Sequence, residues 1–489
     1  MKNWTHKLIS CVCFTLGVAV SAFPCCAEEG KEEVTLTIPL FFENRIPDNI
    51  SDVEEAVDAL TYEKIGVNIQ LIPMLRLVGT DTLRISEMNM IKRAGNSFDI
   101  VHASMPDIEM IDLTDLLPEY GSGIVELFQK NGQDLFDGRR LNALPSYSDY
   151  VGGQGIAMRK DLVEKYGIDL SALKTYDDFD ALFAQIASQE PDMKMICSYS
   201  TGRGLLYRYG CNNFNGTVFC VTPGDDTSVS NWYATEEYEH WVKLFRSWYE
   251  KGYIYEYSAL QDIPASELVR AGELFSFVCA YKPGIDLETS SSCGMEMVVV
   301  QTRPAVITNE SLSRGCWGIS AYCQHPEEAM QFLNLLYTDE ELVNLLSNGI
   351  AGIHYDKSED GTIFPLPYEG TKNAEFLNDA SWILPNQFLG DVRTGDDPML
   401  WEKLHSYNLS AVNAPNLGFV FDDSEVEEER HSLNSIAAKY AYGLESGQLD
   451  PDIYLKEMLQ KMEKAGEDKV YQELSEQFTE WCASQGEEQ

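Results

Sequence analysis

Aromatic and polar residues lie where predicted strands end or where the chain changes character, and these residue types suit the binding of a small polar ligand. Ring faces stack on sugar faces, while hydroxyl and carboxylate groups hold ligand hydroxyls through hydrogen bonds. If the candidates converge, they form a binding site. They are Phe42 and Glu43 after the first predicted strand, Ser104 after the third, Tyr147 and Tyr150 in a glycine-containing segment, and Trp232, Trp317 and Trp382.

Each of these candidates also has an ordinary structural explanation. The chain contains 8 Trp, 25 Tyr and 21 Phe, and most of these rings must pack in a core, which is the simpler interpretation of any one ring. Glu43 is equally well explained as a solvated surface carboxylate. Trp317 and Trp382 are favoured because glycine or polar residues surround them. We expect these two rings to face one cleft from opposite walls.

No motif in the sequence indicates catalysis or a resident metal. The chain has no Gly-x-Ser-x-Gly, His-Glu-x-x-His or Cys-x-x-Cys pattern, and its 7 His residues are scattered without ligand spacing. We therefore predict a protein that is not an enzyme and needs no cofactor. With 78 Asp and Glu residues, a chance pair of carboxylates like that of a glycosidase stays open.

Two glycine-containing segments imitate ion-binding or phosphate-binding loops. The segment from Gly152 and Gly153 to Gly155 lacks the Lys-Ser/Thr that follows a phosphate-binding loop, so we predict a hinge or tight crossing there. The segment from Asp356 to Gly361 resembles the first half of a calcium-binding EF-hand loop, but Pro367 stands where the bidentate glutamate is required. A hairpin turn is the better interpretation.

The elements that must position these residues alternate between strand and helix patterns, which indicates an α/β fold with parallel, helix-covered sheets. We expect a first crossing between two lobes in residues 141–158 and a return near 297–304. The predicted strands are 34–38, 67–72, 98–101, 274–280 and 297–300; the predicted helices are 52–62, 81–94, 176–188, 236–251, a broken helix over 326–349, and 455–481 within a mostly helical end.

Charge and the first residues restrict the setting of the protein. A net charge of -42 over 489 residues excludes nucleic acid as a natural partner, because phosphate backbones would be repelled. A basic start, an apolar run from Leu8 to Val20 and small residues before Ala27 predict a signal peptide over residues 1–27. Outside the cell, cysteine pairs such as Cys211 with Cys220 are possible, although the connectivity stays open.

Several segments resemble family 1 extracellular solute-binding proteins, the group that includes maltose-binding protein. The resemblance begins in RKDLVEKYGI (159–168) and TYDDF (175–179) and continues in PEEAMQFLNLLY (326–337). NLLSNGIAGIHY (344–355) and GFVFD (418–422) are similar to the bacterial surface lipoprotein branch with a DUF3502 C-terminal region. The order and spacing of these segments extend from about Val34 to Trp481.

The resemblance implies a two-lobed type II periplasmic-binding-protein-like fold, with a ligand in the cleft between the lobes. We expect residues 34–148 and 304–370 in lobe 1, and residues 149–303 and 371–489, including the DUF3502-like region, in lobe 2. The implied protein is a monomer on the outer face of the cytoplasmic membrane or the cell surface. Its implied partners are an ABC permease and its ATPase.

The ligand and the anchor are less closely specified. The resemblance and the aromatic content favour a mono- or oligosaccharide, while peptides and other small solutes stay open. A surface receptor or adhesin without transport is a further alternative, since one fold supports several functions. Relatives usually have a Leu-x-(Ala or Gly)-Cys lipobox, from which Cys25 and Cys26 both depart, so the lipid anchor stays open.

Overall fold

The structure is a computed structural model that describes residues 33–42, 45–75, 98–103, 105, 108–131, 135, 141–200, 203–206, 212–214, 216–256, 263–313, 315–366, 376 and 378–487. The predicted signal peptide and the predicted helix over 81–94 lie outside these residues. Residues Val34–Gln489 form one compact unit. Among the described residues, no helix is long and apolar enough to cross a membrane.

The strands are numbered in chain order. They are β1 (Val34–Phe42), β2 (Val67–Leu75), β3 (Ile100–His102), β4 (Leu144–Pro145), β5 (Gly153–Arg159), β6 (Lys194–Cys197), β7 (Tyr199–Ser200), β8 (Arg203–Gly204), β9 (Phe219–Thr222), β10 (Asp225–Asn231), β11 (Ile254–Tyr255), β12 (Leu274–Tyr281), β13 (Met297–Arg303), β14 (Val306–Ile307), β15 (Cys316–Ile319), β16 (Tyr355–Lys357), β17 (Ile363–Pro365) and β18 (Val412–Asn413).

The helices are numbered in the same way. They are α1 (Ile50–Ile65), α2 (Leu116–Tyr120), α3 (Ser122–Lys130), α4 (Lys160–Lys165), α5 (Tyr176–Gln189), α6 (Glu236–Glu250), α7 (Ala265–Arg270), α8 (Ile285–Cys293), α9 (Asn309–Ser313), α10 (Pro326–Thr338), α11 (Glu340–Asn348), α12 (Leu400–Ser410), α13 (Glu427–Glu445), α14 (Pro451–Lys464) and α15 (Glu467–Glu487).

Local sequence signals explain most of these boundaries. Helix α1 ends at Gly66, whose φ of 71° is the left-handed conformation that glycine adopts without strain. Helix α5 begins at a capping box formed by Thr175 and Asp178. The predicted break in the 326–349 helix is confirmed, because Asp339 ends α10 and then accepts the Leu342 N–H as the cap of α11. The predicted hairpin is also confirmed as the antiparallel pair of β16 and β17.

A first hydrophobic core is built on two small sheets whose strands come from residues 34–145 and from 316–319. Strands β1 and β2 pair in parallel, and β15, which comes from far along the chain, inserts between β3 and β4. Helices α1, α10 and α11 contribute apolar side chains to this core, including Val53, Phe332 and Leu346. We call this group the N-terminal core.

A second core surrounds the five-stranded sheet of order β11-β6-β12-β5-β13. The pairs β11-β6 and β6-β12 are parallel, whereas β5 is antiparallel to both β12 and β13. The sheet is therefore mixed, with β5 antiparallel to both of its neighbours. Ile156 and Met158 of β5 pack on one face and Ala157 on the other, as expected for a sheet that is covered on both sides.

The C-terminal helices α13, α14 and α15 complete the larger face of this second core. Leu444 of α13, Met458 of α14 and Phe478 of α15 are all fully buried in it, beside rings of α5 and α6. We call this group the C-terminal core. Cys220, which belongs to it, is a buried free thiol; Cys211, with which a pairing was considered above, lies outside the described residues.

Two glycines of the segment predicted as a hinge or tight crossing lie within a strand. Gly153 and Gly155 belong to β5, are paired with Tyr281 and Cys279 of β12, and do not adopt positive φ. A Cβ atom on Gly153 would lie 2.2 Å from the Arg303 carbonyl oxygen. These two glycines therefore allow close approach of neighbouring backbones, as a tight crossing requires, and a hinge role for the segment stays a prediction. Gly152 lies just before the strand and is buried.

Candidate ligand-binding site

Tyr147 lies just after β4, at the point where the chain leaves the N-terminal core. Its backbone N–H donates to the Pro385 carbonyl at 2.6 Å, and its carbonyl accepts the Gln387 N–H at 3.2 Å. These bonds fix the residue, while its half-buried ring lies 5.3 Å from the Phe388 ring. The Tyr147 hydroxyl is 3.1 Å from His405 Nδ1. Burial raises the pKa of the Tyr147 hydroxyl, and the neighbouring Tyr150 adds to the effect.

An ion pair follows Tyr147 directly along the chain. Asp149 Oδ2 lies 2.8 Å from Lys282 Nζ, and Glu288 of α8 lies 3.3 Å from the same nitrogen. The Asp149 side chain is only 7% exposed, which strengthens the attraction between the charges. Burial opposes the charged form of Lys282, but the carboxylates of Asp149 and Glu288 outweigh it and hold the Lys282 pKa above its usual range. The crossing segment is thereby tied to the end of β12.

Tyr150 is the second predicted tyrosine in this region. It is half-buried, and within the described residues its hydroxyl makes no hydrogen bond. Burial raises the pKa of this hydroxyl, so it is a neutral donor at physiological pH. A ring that is partly exposed and whose hydroxyl is free can both stack on a ligand and hydrogen-bond to it.

Helix α12 brings a further tyrosine to the crossing. The Tyr407 hydroxyl accepts from the Gly153 N–H at 3.3 Å and from Gln301 Nε2 at 3.1 Å, and it donates to the Tyr281 carbonyl at 3.3 Å. The same helix is attached to the crossing through Asn408, which donates to the Ser148 carbonyl at 2.7 Å. Strands β5, β12 and β13 and helix α12 therefore meet around one hydroxyl group.

Asp396 supplies a carboxylate close to this group. It is half-buried, and burial raises its pKa, with Arg393 and Lys282 acting against the shift and Glu288 acting with it. The pKa of Asp396 therefore depends on the charges of Lys282 and Glu288, which belong to the ion-pair group described above. We define the crossing cluster as Tyr147, Asp149, Tyr150, Tyr281, Lys282, Glu288, Asp396, His405 and Tyr407.

The crossing cluster has the chemistry of a binding site for polar ligands. Its tyrosine rings provide stacking surfaces, and its half-buried carboxylate and phenol groups provide acceptors and donors whose positions the backbone bonds hold. Preorganised groups of this kind reduce the entropy lost on binding. Among the described residues, no group of three or more His, Cys, Asp and Glu side chains could hold a metal ion.

Most of the other predicted site residues lie in the two cores. Phe42 is fully buried in the N-terminal core, with its ring 6.3 Å from the Phe376 ring. Trp232 is 7% exposed in the C-terminal core and packs edge-on against Tyr238. Their burial gives both rings a packing role in this structure. Glu43 and Ser104 lie outside the described residues.

Trp317 and Trp382 both pack against the N-terminal core in this structure, and a ligand-binding role for either ring stays a prediction. Trp317 is 2% exposed, and its indole N–H donates to the carbonyl of Ile383 at 2.8 Å. Trp382 directly precedes Ile383 in the chain, and it packs against the same N-terminal core. The glycines beside Trp317 reflect close packing: a Cβ on Gly318 would lie 2.6 Å from Met110 Sδ.

Sequence reasoning missed the part of the crossing cluster that comes from later in the chain. Tyr281 and Lys282 lie at the carboxyl end of β12, so the strand-end rule that selected Phe42 and Ser104 would also have selected them. Asp396, His405 and Tyr407 gave no comparable signal. Their segment has no strand end of its own, and it reaches the cluster only through tertiary contacts such as that between Tyr407 and Tyr281, which are 126 residues apart.

Comparisons with known proteins agree with this architecture. Residues 415–483 match a domain of unknown function, DUF3502. Over 457 residues the chain is 23% identical to a carbohydrate ABC transporter substrate-binding protein of Streptococcus pneumoniae serotype 4, with 89% of each chain covered.

Solved structures are similar over nearly the whole length. The N-glycan transport solute binding protein NgtS of Streptococcus pneumoniae is similar at a TM-score of 0.77 and 22% identity, over 92% of this chain and 99% of that one. The FusA substrate-binding protein of the same species, in complex with kestose, is similar at a TM-score of 0.59 and 16% identity, over 92% and 100% of the two chains. The predicted α/β fold is therefore confirmed.

Proposed function

We propose that this chain, which has the fold of ABC-transporter solute-binding proteins and a DUF3502 C-terminal region, delivers an oligosaccharide to an ABC importer. The family predicted from the sequence is confirmed by the DUF3502 match and by the carbohydrate-transport relative. The observation that carries the function is the crossing cluster. It collects tyrosine rings and half-buried polar groups where the chain passes between its two cores.

The two cores support a division into two lobes. Residues 34–148 and 304–370 supply most of the N-terminal core, and residues 149–303 with the C-terminal helices supply the C-terminal core. The boundary between the lobes that we expected at residue 371 is placed later in the chain. Phe376, Ile383 and Leu384 belong to the N-terminal core, so the third passage between lobes follows residue 389. The crossing cluster then lines the junction of the lobes.

A setting outside the cell follows from the same proposal. Residues 1–27 serve as a signal peptide, the mature protein works as a monomer outside the cytoplasmic membrane, and a permease with its ATPase receives the ligand. The acidic surface suits an exposed soluble domain. No catalytic step is needed, because tight and reversible binding is the whole task of such a receptor.

A titration of the mature chain from Glu28 tests the proposal. Thermal unfolding is followed with Man1GlcNAc, Man5GlcNAc and kestose, the ligands of the structural relatives, and with dipeptides as a different solute class. A ligand at 100 times its Kd should raise the free energy of unfolding by about 2.7 kcal/mol. Stabilisation by at least one glycan, with the glycan recovered intact by mass spectrometry, is the expected result.

Two results would contradict the proposal. Stabilisation by the dipeptides alone would indicate a peptide receptor, and cleavage of a bound glycan would indicate an enzyme. Uptake of the bound glycan by host cells that lack this protein would separate a transport role from that of a non-transporting surface receptor.

A further inference from the structure

We propose that a pocket beside the crossing cluster, between Phe388, Trp401 and the β16-β17 hairpin, binds one neutral monosaccharide unit of the ligand. This inference rests on the proposed function and names a second subsite for it. The pocket has a volume of about 320 Å³. That lies at the lower end of the range of about 300–1,000 Å³ for small-molecule sites, which suits one sugar ring better than a whole glycan.

One wall of the pocket is aromatic. The Phe388 and Trp401 rings are half-buried, with their centroids 5.8 Å apart and their planes inclined by 48°. The Trp401 indole N–H donates to the Gly390 carbonyl at 2.5 Å, so the orientation of the ring is set before any ligand arrives. A fixed and partly exposed indole is a suitable platform for the apolar face of a pyranose.

The rest of the lining carries carboxylates. Asp391 is paired with Lys357 at 2.9 Å, and its backbone N–H donates to Asn344 Oδ1 at 2.8 Å. Asp360 accepts the Thr362 N–H at 3.0 Å and the Thr362 hydroxyl at 2.7 Å. Hydrogen bonds from Ser358 and Thr362 lower the pKa of Asp360 to about 2, so this group is ionised at any physiological pH.

The negative charge of this lining distinguishes neutral sugars from acidic ones. Glu340, in the first turn of α11, adds a third carboxylate to the lining. Carboxylates accept hydrogen bonds from sugar hydroxyls, and charge-assisted bonds of this kind are the stronger ones. The same groups repel the carboxylate of a uronic or sialic acid. The pocket therefore suits a neutral unit and excludes an acidic one.

Phe388 connects the pocket to the crossing cluster. Its ring lines the pocket and also lies 5.3 Å from Tyr147 and 6.3 Å from His405. A ligand longer than a disaccharide could thus contact both sites. A disaccharide held at the crossing cluster would leave the pocket empty, so the pocket should contribute to affinity only for the longer glycan.

The experiment compares Man5GlcNAc with Man1GlcNAc by calorimetry on the mature chain. Trp401→Ala should weaken Man5GlcNAc binding by about 10-fold to 100-fold, as for a buried aromatic contact, and leave Man1GlcNAc within about twofold. Glu340→Gln, which changes an exposed side chain, should weaken Man5GlcNAc by a few fold and is the variant least able to disturb folding. Tyr322→Ala, at a 68% exposed ring outside the pocket, is the matched control. Equal losses for both glycans, or no loss for Man5GlcNAc, would overturn the proposal.

Failure of the proposed function is distinguished from failure of the pocket by a direct probe. If the wild-type chain binds neither glycan, methyl α-mannoside and methyl α-glucuronide are titrated while the Trp401 indole N–H signal is followed by NMR, with Trp401→Phe used for its assignment. A shift with the neutral glycoside and none with the acidic one supports the pocket. No shift with either, or the same shift with both, overturns it.

Discussion

Trp317 and Tyr147, two aromatic residues predicted for the same role, lie in different surroundings. Trp317 is 2% exposed, and its polar atom is satisfied by a backbone carbonyl inside the N-terminal core. Tyr147 is half-buried, and its hydroxyl meets the side chain of His405. A backbone partner inside a core is permanent, whereas a side-chain partner at a partly exposed site can give way to a ligand. The partner of the polar atom therefore distinguishes the two uses better than the ring type does.

The largest change in stability is expected for the buried ring of Trp317. Trp317→Ala should lower the free energy of unfolding by about 3–5 kcal/mol, because it removes a buried ring and leaves a cavity. The affinity of the folded fraction for ligand should not change. Denaturant titration and calorimetry measure the two quantities. A large loss of affinity with normal stability would return Trp317 to the binding site.

The next effect concerns the junction between the two regions. Gly153→Ala should cost about 1–3 kcal/mol of stability, because the new Cβ would lie 2.2 Å from the Arg303 carbonyl oxygen. Gly390→Ala is a suitable control, since its φ is -71° and the nearest atom to its Cβ would lie at 3.3 Å. If denaturant titration shows the same small change for both variants, close backbone approach is not the reason for a glycine at position 153.

Tyr150→Ala tests whether a half-buried ring of the crossing cluster contributes to ligand affinity. We expect a loss of about 1–2 kcal/mol of binding free energy, roughly 5-fold to 30-fold in Kd, because a stacking surface and a free hydroxyl are lost together. Stability should change by less than about 1 kcal/mol, since the ring is only half-buried. Calorimetry with a glycan that stabilises the chain in the thermal-unfolding titration gives the affinity. An unchanged Kd would remove Tyr150 from the site.

The smallest effect isolates a single hydroxyl. Tyr147→Phe keeps the ring and removes its hydrogen bond with His405, so stability should fall by only about 0.5–1.5 kcal/mol. Affinity should fall by a few fold if the ligand takes over that hydroxyl. His405→Ala provides the reciprocal variant, and a double-mutant cycle measures the coupling between the two side chains. A coupling energy of zero would show that the contact has no role.

Much of the fold could be predicted because its signals are local. The alternation in β1, the capping box before α5 and the break between α10 and α11 are each set by residues within a few positions of one another, and the structure has all three. The family could also be predicted, since its segments are contiguous. The candidate site could be predicted only in part, through Tyr147 and Tyr150.

The sequence alone indicated most element types, the α/β class and a resemblance to solute-binding proteins, because backbone propensity, side-chain periodicity and contiguous motifs act over short distances along the chain. Only the tertiary structure decided which rings are buried and which groups meet. Trp317 is a core residue because of Ile383, 66 positions away, and Tyr147 meets His405 across 258 positions. Contacts of that separation depend on how strands and helices pack, and no periodicity in the sequence records them.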